Sequence, residues 1–329
     1  MTNPSSQDQQ AILDRQRTSF TAARPEGLNV RRDRIKRVIA AMKDHGEDFA
    51  KAMSADFGNR SIEQSLLTDI APTISQAKYC LKNLDSWARP SRRKVQFPLN
   101  LMGGKAEVRF EPKGVVGIIS PWNFPVGLAF TPLAQAFAAG NRAMIKPSEF
   151  TERTSDLMAE VVEKLFAPEE CAVVTGGPEV AADFSALPFD HLIFTGSTAT
   201  GRKVMQAAAK NLTPVTLELG GKSPVILGHG ADFKRAGERI AMGKMMNAGQ
   251  ICLAPDYMYV AEEDEVEAIG GITDAVSAMY PTLLGNDDYT SVVTDKHFDR
   301  LREMVEDARD KGADVIAVSY THLRAHETR

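Results

Sequence analysis

Residues 114–148 have the sequence GVVGIISPWNFPVGLAFTPLAQAFAAGNRAMIKPS, and its pattern decides the fold. An apolar run, GVVGIIS, is followed by a helical stretch, VGLAFTPLAQAFAAG, and then by a second apolar run, RAMIKPS. The same alternation continues through residue 228. Because continuous apolar strands between helices are typical of parallel sheets covered on both faces, the sequence predicts an α/β fold with a nucleotide-type domain.

The segments on either side of this pattern predict other elements. The first ninety residues predict helices with two apolar stripes. One stripe contains Ile35, Val38, Ile39 and Met42, and the other contains Leu66, Ile70, Ile74, Ala77, Leu81 and Leu84. Residues 94–100 and 105–112, with LMGG between them, predict a β-hairpin arm. Residues 295–312 predict a helix and residues 313–318 a strand, whereas the tail, 319–329, has no pattern that fits the fold.

Composition limits the classes of function. The 329 residues suffice for two domains, and 43% hydrophobic and 25% charged residues are ordinary for a soluble globular protein. A net charge of −4 and a pI near 5.9 argue against nucleic acid or an anionic membrane as a partner. We find neither a secretion signal nor an apolar run long enough to span a membrane. We therefore expect a cytoplasmic protein.

The cysteines and histidines give no metal or disulfide pattern. Cys80, Cys171 and Cys252 are far apart and odd in number, so we expect reduced thiols. His322 and His326 have HxxxH spacing, but no third ligand is evident, and we expect no metal site.

Two common phosphate-binding motifs are absent. No GxGxxG occurs, and GGKS at 220–223 lacks the earlier glycine of a phosphate loop, because Thr216 stands at that position. The residues after GGKS also predict a strand, where a phosphate loop requires a helix.

Glycine-rich and polar segments nevertheless follow several predicted strands, where α/β sheets bind ligands. In FTGSTATG, Gly196, Ser197 and Gly201 lead into a helix that could either bind a pyrophosphate or simply be capped by Ser197 or Thr198. In IKPSE, Lys146 and Glu149 could contact a ribose, or could form a solvated charged turn.

Three further residues fit acyl chemistry, which needs a nucleophile, an oxyanion partner and a base for water. Cys252, in NAGQICLAP, could supply a thiolate, although free cysteine is more commonly a small buried hydrophobe. Asn123, in PWNFP, could donate to an oxyanion or belong to a rigid turn. Glu218, before two glycines, could be the base or a surface glutamate.

The order and spacing of five segments resemble the aldehyde dehydrogenase superfamily. These segments are SPWNFP (120–125), IKPSE (145–149), FTGSTATG (194–201), LELGGKSP (217–224) and NAGQICLAP (247–255). The resemblance extends from the N-terminal helices to about Val318. It implies an aldehyde dehydrogenase fold with a modified Rossmann cofactor domain (1–93 and 113–219), an oligomerisation hairpin arm (94–112) and the first part of an α/β catalytic domain (220–318).

The resemblance also implies roles for the candidate residues. Cys252 corresponds to the nucleophile that forms a thioester, Asn123 to the oxyanion donor and Glu218 to the base that activates water. Lys146 and Glu149 correspond to the adenosine-ribose contacts, and Gly196, Ser197 and Gly201 to the pyrophosphate turn. Trp122, Leu219 and Gly220 are also expected in the cofactor site.

Within the superfamily, three segments are most similar to coniferyl aldehyde dehydrogenases and their class-3-like relatives: GQICLAPDYMYV (249–260), the hairpin, and GVVGIISPWNFP (114–125). We therefore expect oxidation of an aromatic aldehyde to its acid, with a broad aliphatic aldehyde dehydrogenase as the alternative. Glu149 favours NAD, with NADP tolerated because Lys146 is nearby. The hairpin arm implies a homodimer. Superfamily members continue beyond Val318, so we expect a truncated chain with a foreign tail at 319–329, and an inactive nucleotide-binding fragment is a further alternative.

Overall fold

The computed structural model describes residues 4–23 and 26–316. The chain divides into two compact units: one comprises Met1–Phe49 and Leu67–Glu218, and the other Ala50–Leu66 and Leu219–Arg329. The tail at 319–329, with His322 and His326, lies outside the described residues. In the part of the chain that is described, no helix is both long enough and apolar enough to cross a membrane.

The N-terminal region is helical, as predicted. Its helices are α1 (Ser6–Ala22), α2 (Leu28–Asp44), α3 (Gly46–Phe57), α4 (Ile62–Ser65), a π-helical turn (Leu66–Ile70) and α5 (Ala71–Trp87). A capping box formed by Ser5 and Asp8 begins α1, because each side chain satisfies a backbone N–H that the helix leaves free. Ile35, Val38 and Met42 of the first predicted stripe are buried on α2.

The second predicted stripe is only partly correct. Ala77 and Leu84 are buried on α5, but Thr73 and Cys80 occupy buried positions that the pattern had assigned to Ile74 and Leu81. Both sets of positions have the three- and four-residue spacing of one helix face, so the pattern alone does not distinguish Thr73 from Ile74 or Cys80 from Leu81.

The first unit contains a five-stranded sheet with the order β5-β4-β3-β6-β7. Its strands are β3 (Val115–Ile119), β4 (Arg142–Lys146), β5 (Cys171–Val173), β6 (His191–Gly196) and β7 (Val215–Leu219). The β3–β4, β3–β6 and β4–β5 pairs are parallel, and β3 and β4 are buried along their whole length. The helices between the strands are α6 (Gly127–Ala138), α7 (Glu152–Leu165), α8 (Pro178–Ser185) and α9 (Thr198–Ala209). The parallel α/β prediction is confirmed.

The predicted hairpin is antiparallel, but its first strand is wrong. The pair consists of β1 (Ser91–Arg93) and β2 (Ala106–Val108), with Ser91 opposite Val108. Residues 94–100 are not a strand, because Pro98 has no N–H to donate to a ladder and Leu99 accepts turn bonds from Met102 and Gly104.

In the second unit, two helices contact each other closely at a pair of glycines. Its elements after residue 219 are β8 (Ser223–Ile226), α10 (Phe233–Met245), β9 (Pro255–Tyr259), α11 (Glu265–Met279) and α12 (Asp295–Asp310), with β8 parallel to β9. The α10 and α11 backbones meet at Gly237 and Gly271, where a Cβ on Gly237 would lie 2.2 Å from the Gly271 carbonyl oxygen. The strand after GGKS and the helix at 295–312 are confirmed, whereas residues 313–316 of the predicted last strand are not in a strand.

Candidate active site

The carboxyl ends of the central strands meet at one edge of the sheet. Ile119 at the end of β3 is opposite both Lys146 on β4 and Phe194 on β6, and the Ser120 amide donates to the Lys146 carbonyl at 3.1 Å. The loops that follow the three strands, SPWNFP, KPSE and GST, therefore begin at the same edge, where α/β sheets bind ligands.

The SPWNFP loop follows β3 and carries Trp122 and Asn123. At its start Ser120 is buried, and its Oγ has no hydrogen-bond partner among the described residues. Trp122 and Asn123 are half-buried, and Asn123 Oδ1 accepts from the Phe124 amide at 3.1 Å. That bond turns the side-chain oxygen of Asn123 to the backbone of its own loop.

Asp69 is a site residue that the sequence did not reveal. It is fully buried in the π-helical turn, and its Oδ1 accepts from the Gly127 amide at 2.9 Å. Gly127 is the first residue of α6, where a carboxylate satisfies a free N–H and interacts well with the helix dipole. Asp69 therefore anchors the end of the loop that carries Trp122 and Asn123. A lone acid in an apolar helical stripe was its one signal.

Lys146 is not part of a solvated turn. Its side chain is 1% exposed, and its Nζ donates to the Pro147 carbonyl at 2.5 Å and lies 3.9 Å from Glu149 Oε2. Burial lowers the pKa of Lys146, and the Glu149 carboxylate partly offsets that effect. An ammonium has three donors, and Pro147 takes one of them, so this buried cation is suited to bind further oxygens. The Glu149 side chain is 34% exposed beside it.

The GST turn caps a helix and leaves its N-terminus exposed. Ser197 is the N-cap of α9: its Oγ accepts from the Thr200 amide at 3.2 Å, so the capping interpretation holds. Gly201 is buried and donates to the Ser197 carbonyl at 2.8 Å. Gly196 lies close to Phe194, since a Cβ at this position would be 2.6 Å from the far end of the Phe194 ring. The exposed N-terminus of α9 at the sheet edge also has the N–H groups and the dipole that bind anions.

The Cys252 loop lies in the second unit. It follows α10 and a short 3-10 turn (Met246–Gly249) and precedes β9. Cys252 is exposed, and its carbonyl accepts from the Gly221 amide at 3.3 Å, which joins the loop to the glycines after β7. Gly220, which precedes Gly221, is exposed, and Leu219 at the end of β7 is half-buried. Glu218 is exposed near the end of β7, as the last residue of the first unit.

The other two cysteines have a different environment. Cys80 and Cys171 are buried, and burial raises the pKa of both thiols. They are therefore the small hydrophobes that buried cysteines usually are. Cys252 does not share that environment, and its loop is held in an unfavourable backbone conformation: Asn247 and Ala248 both have a φ of 51°.

The candidate residues are thus distributed over the two units. Within the first unit, the sheet edge brings together the Trp122–Asn123 loop, Lys146 with Glu149, and the Gly196–Gly201 turn, while Glu218 lies one residue before the end of β7. Within the second unit, Gly221 is bonded to Cys252. Over residues 4–23 and 26–316, no group of three His, Cys, Asp or Glu side chains could hold a metal ion.

Comparisons with known proteins show what this chain is similar to. Residues 2–326 match the sequence profile of the aldehyde dehydrogenase family. A probable coniferyl aldehyde dehydrogenase from Caulobacter vibrioides is 51% identical over 94% of this chain and 64% of its own length. The chain therefore spans just under two thirds of that relative.

Solved structures show the same fold. Substrate-bound AldH from Staphylococcus aureus has a TM-score of 0.86 at 35% identity, covering 91% of this chain and 65% of that one. A mutant of aldehyde dehydrogenase C from Pseudomonas syringae, in complex with NAD+ and octanal, has a TM-score of 0.84 at 26% identity, covering 96% of this chain and 64% of that one. The fold and the sequence both show that this chain belongs to the aldehyde dehydrogenase family.

Proposed function

We propose that this protein oxidises an aldehyde to its carboxylic acid with NAD+, through a thioester on Cys252. The observation that carries the proposal is the contrast between Cys252, exposed on a strained loop, and the two buried cysteines. An exposed thiol on a fixed loop suits nucleophilic attack, whereas a structural cysteine would be buried.

The chemistry assigns one task to each residue. The Cys252 thiolate attacks the aldehyde carbon, and the Asn123 amide and the Cys252 backbone N–H stabilise the oxyanion that forms. NAD+ held by the first unit would supply the hydride acceptor, and loss of hydride from the adduct leaves the acyl group on Cys252 as a thioester. Glu218 then takes a proton from water, which attacks the thioester and releases the acid and the thiolate.

The first unit has groups that fit NAD+. Lys146 can donate to ribose oxygens, because Pro147 occupies one of its three donors. Glu149 can accept from ribose hydroxyls and would repel a 2′-phosphate, so we infer that NAD+ is preferred and NADP+ tolerated. The exposed N-terminus of α9, with Gly196, Ser197 and Gly201, suits the pyrophosphate. Trp122 of the same unit is also assigned to the cofactor, as are Leu219 and Gly220, which belong to the second unit.

For the substrate we propose coniferyl aldehyde or a similar aromatic aldehyde. The support is the coniferyl aldehyde dehydrogenase at 51% identity. The second candidate is an aliphatic aldehyde, favoured by the structural relative that holds octanal.

We also infer a homodimer in the cytoplasm. The arm at 94–112 supports the dimer, because its apolar side chains are exposed. They are Phe97, Leu99, Leu101, Met102, Val108 and Phe110. The free state of all three cysteines supports a reducing compartment.

Intact-protein mass, measured after mixing the chain with NAD+ and coniferyl aldehyde, tests the proposal alongside NADH absorbance. We expect an acyl adduct on Cys252 or steady NADH formation, and neither in Cys252→Ser. Cys80→Ala is the matched control, because that thiol is buried and should not be acylated. Hexanal in parallel separates the two substrate classes. Equal turnover with NADP+ would contradict the cofactor preference.

An unmodified Cys252 without NADH would contradict the activity for this chain. Cofactor binding alone, unchanged in Cys252→Ser, would favour the nucleotide-binding alternative.

A further inference from the structure

The loop before Cys252 adopts a conformation that its own residues disfavour. Asn247, Ala248 and Gly249 have φ values of 51°, 51° and 74°, all in the left-handed region. Glycine adopts this region freely, but a residue with a Cβ such as alanine does so at a cost of about 1–2 kcal/mol. Contacts from other parts of the second unit must therefore hold the loop.

Gln64 makes such contacts from far away in the sequence. Its Oε1 accepts from the Asn247 amide at 3.0 Å, across 183 positions. Its Nε2 lies 3.1 Å from Thr290 Oγ1 and 3.5 Å from Asn247 Oδ1. Asn247 and Thr290 are both buried, so losing their polar partner would be unfavourable.

Two other side-chain amides bind the same region. Gln250 Nε2 donates to the Asn247 and Ser291 carbonyls at 3.0 Å, and its Oε1 accepts from the Val293 amide at 3.0 Å. Asn59 Nδ2 donates to the Tyr289 carbonyl at 2.6 Å, and the Ser291 amide donates to the Asn59 carbonyl at 2.9 Å. Residues 59–64, 247–250 and 289–293 are thus joined into one hydrogen-bonded group, which we name the amide clamp.

We propose that Gln64 is a positioning residue for the Cys252 loop, an inference that rests on the proposed function. Within the amide clamp, Gln64 bonds both the strained Asn247 and the 289–293 segment. Without its amide, Asn247 and Ala248 relax towards ordinary backbone angles. Because Cys252 lies five residues after Asn247, its thiol and its N–H then leave the geometry that acyl transfer needs, while the thiol stays accessible.

Hydrogen exchange at residues 246–254 tests the structural step without any turnover. In Gln64→Met we expect exchange in this segment to rise about tenfold, while exchange in α11 stays as in the parent. Gln64→Glu should give a smaller rise, since its carboxylate can still accept from the Asn247 amide. The control, Asp274→Asn, changes an exposed residue of the second unit that lies outside the amide clamp, and it should leave exchange in residues 246–254 unchanged. Unchanged exchange in Gln64→Met would overturn the proposal.

Two reagents then separate positioning from general stability. p-Nitrophenyl acetate acylates a thiolate through an oxyanion and releases nitrophenolate, whereas iodoacetamide alkylates any accessible thiol by displacement of iodide. In Gln64→Met we expect acylation of Cys252 to slow about tenfold with alkylation preserved, and partial rescue in Gln64→Glu. Labelling of the buried Cys80 and Cys171 reports unfolding.

The outcomes are distinct. Equal slowing of both reactions, or labelling of all three cysteines, means that Gln64 has a structural role alone and overturns the proposal. Parent chain that alkylates but is not acylated counts against the proposed function, and the hydrogen-exchange result then decides the role of Gln64.

Discussion

At the scale of single residues, the contacts that fix the site come from places that the local sequence does not mark. Asp69 lies in LLTDIAP, where it looks like an ordinary polar residue in a helix. It is nevertheless fully buried and accepts from the Gly127 amide, 58 positions later. Its importance follows from the loop that this bond anchors.

Replacing Asp69 with alanine should destabilise the first unit by about 2 kcal/mol, because the half-buried Gly127 amide at the start of α6 loses its acceptor. Asp69→Asn should cost less, since the amide oxygen can still accept the bond. Denaturant unfolding measures both, with Asp183→Asn, an exposed aspartate, as the control. If Asp69→Ala unfolds at the same denaturant midpoint as the parent, the bond between Asp69 and Gly127 does not contribute to the free energy of unfolding.

The residues that the sequence could identify are those whose chemistry is local. Cys252, Asn123 and Glu218 stand beside prolines or glycines in motifs that a single chain displays. Asp69 and Gln64 could not be found in this way, because each acts through a hydrogen bond to a residue distant in sequence. The burial of Lys146 was missed for a different reason: a strand-end lysine before Pro-Ser-Glu has the composition of a solvated turn.

At the scale of elements, helices and parallel strands were predictable because the spacing of apolar residues in the sequence differs between these two kinds of element. The π-helical turn was not, since no residue in LLTDI signals an extra residue per turn. The first hairpin strand was misplaced because β-propensity around Val95 and Phe97 competes with Pro98 and its turn.

An ion network joins α2 to the start of β5, and it should make stability depend on pH. Arg37 and Arg34 donate to the Glu170 carboxylate at 2.7–2.9 Å. Burial raises the pKa of Glu170, but the two guanidinium groups lower it by a larger amount, so that the net effect is a pKa of about 2. A carboxyl whose folded pKa is depressed stabilises the fold above its unfolded pKa of 4.5 and loses that contribution as the pH falls towards 2.

We therefore expect the free energy of unfolding to fall between pH 4.5 and pH 2 by an amount to which Glu170 contributes on the order of 2 kcal/mol. Glu170→Gln should lower stability at pH 7 and flatten this part of the profile. Glu169→Gln, at a neighbouring and more exposed position, is the control. Parallel pH profiles for Glu170→Gln and the parent would contradict the prediction.

At the scale of the whole molecule, the proposed tasks divide between the two units. Most of the proposed cofactor contacts lie in the first unit, and the nucleophile with the amide clamp lies in the second. The three residues to which the acyl chemistry is assigned all lie between positions 123 and 252 of a chain that covers 64% of the Caulobacter vibrioides relative.

NAD+ binding should accordingly protect one unit locally. With NAD+ at about a hundred times its dissociation constant, binding adds roughly 2.7 kcal/mol to the state that binds it. We expect slower hydrogen exchange at the ends of β3, β4 and β6, and little change along α10 and α11. Lys146→Met should abolish the protection. Protection confined to α10 and α11 would contradict the prediction, because it would indicate that NAD+ binds to the second unit.

The contact between Gly237 and Gly271 has a genetic consequence. Any base change in a glycine codon that alters the amino acid adds at least a Cβ, and at these two positions that carbon would lie 2.2–2.4 Å from a carbonyl oxygen of the facing helix. Carbonyl oxygens on a helix backbone cannot move aside as a flexible side chain can. In a population of sequences selected for a folded second unit, codons 237 and 271 should therefore drift through synonymous changes alone, while the codons around them vary.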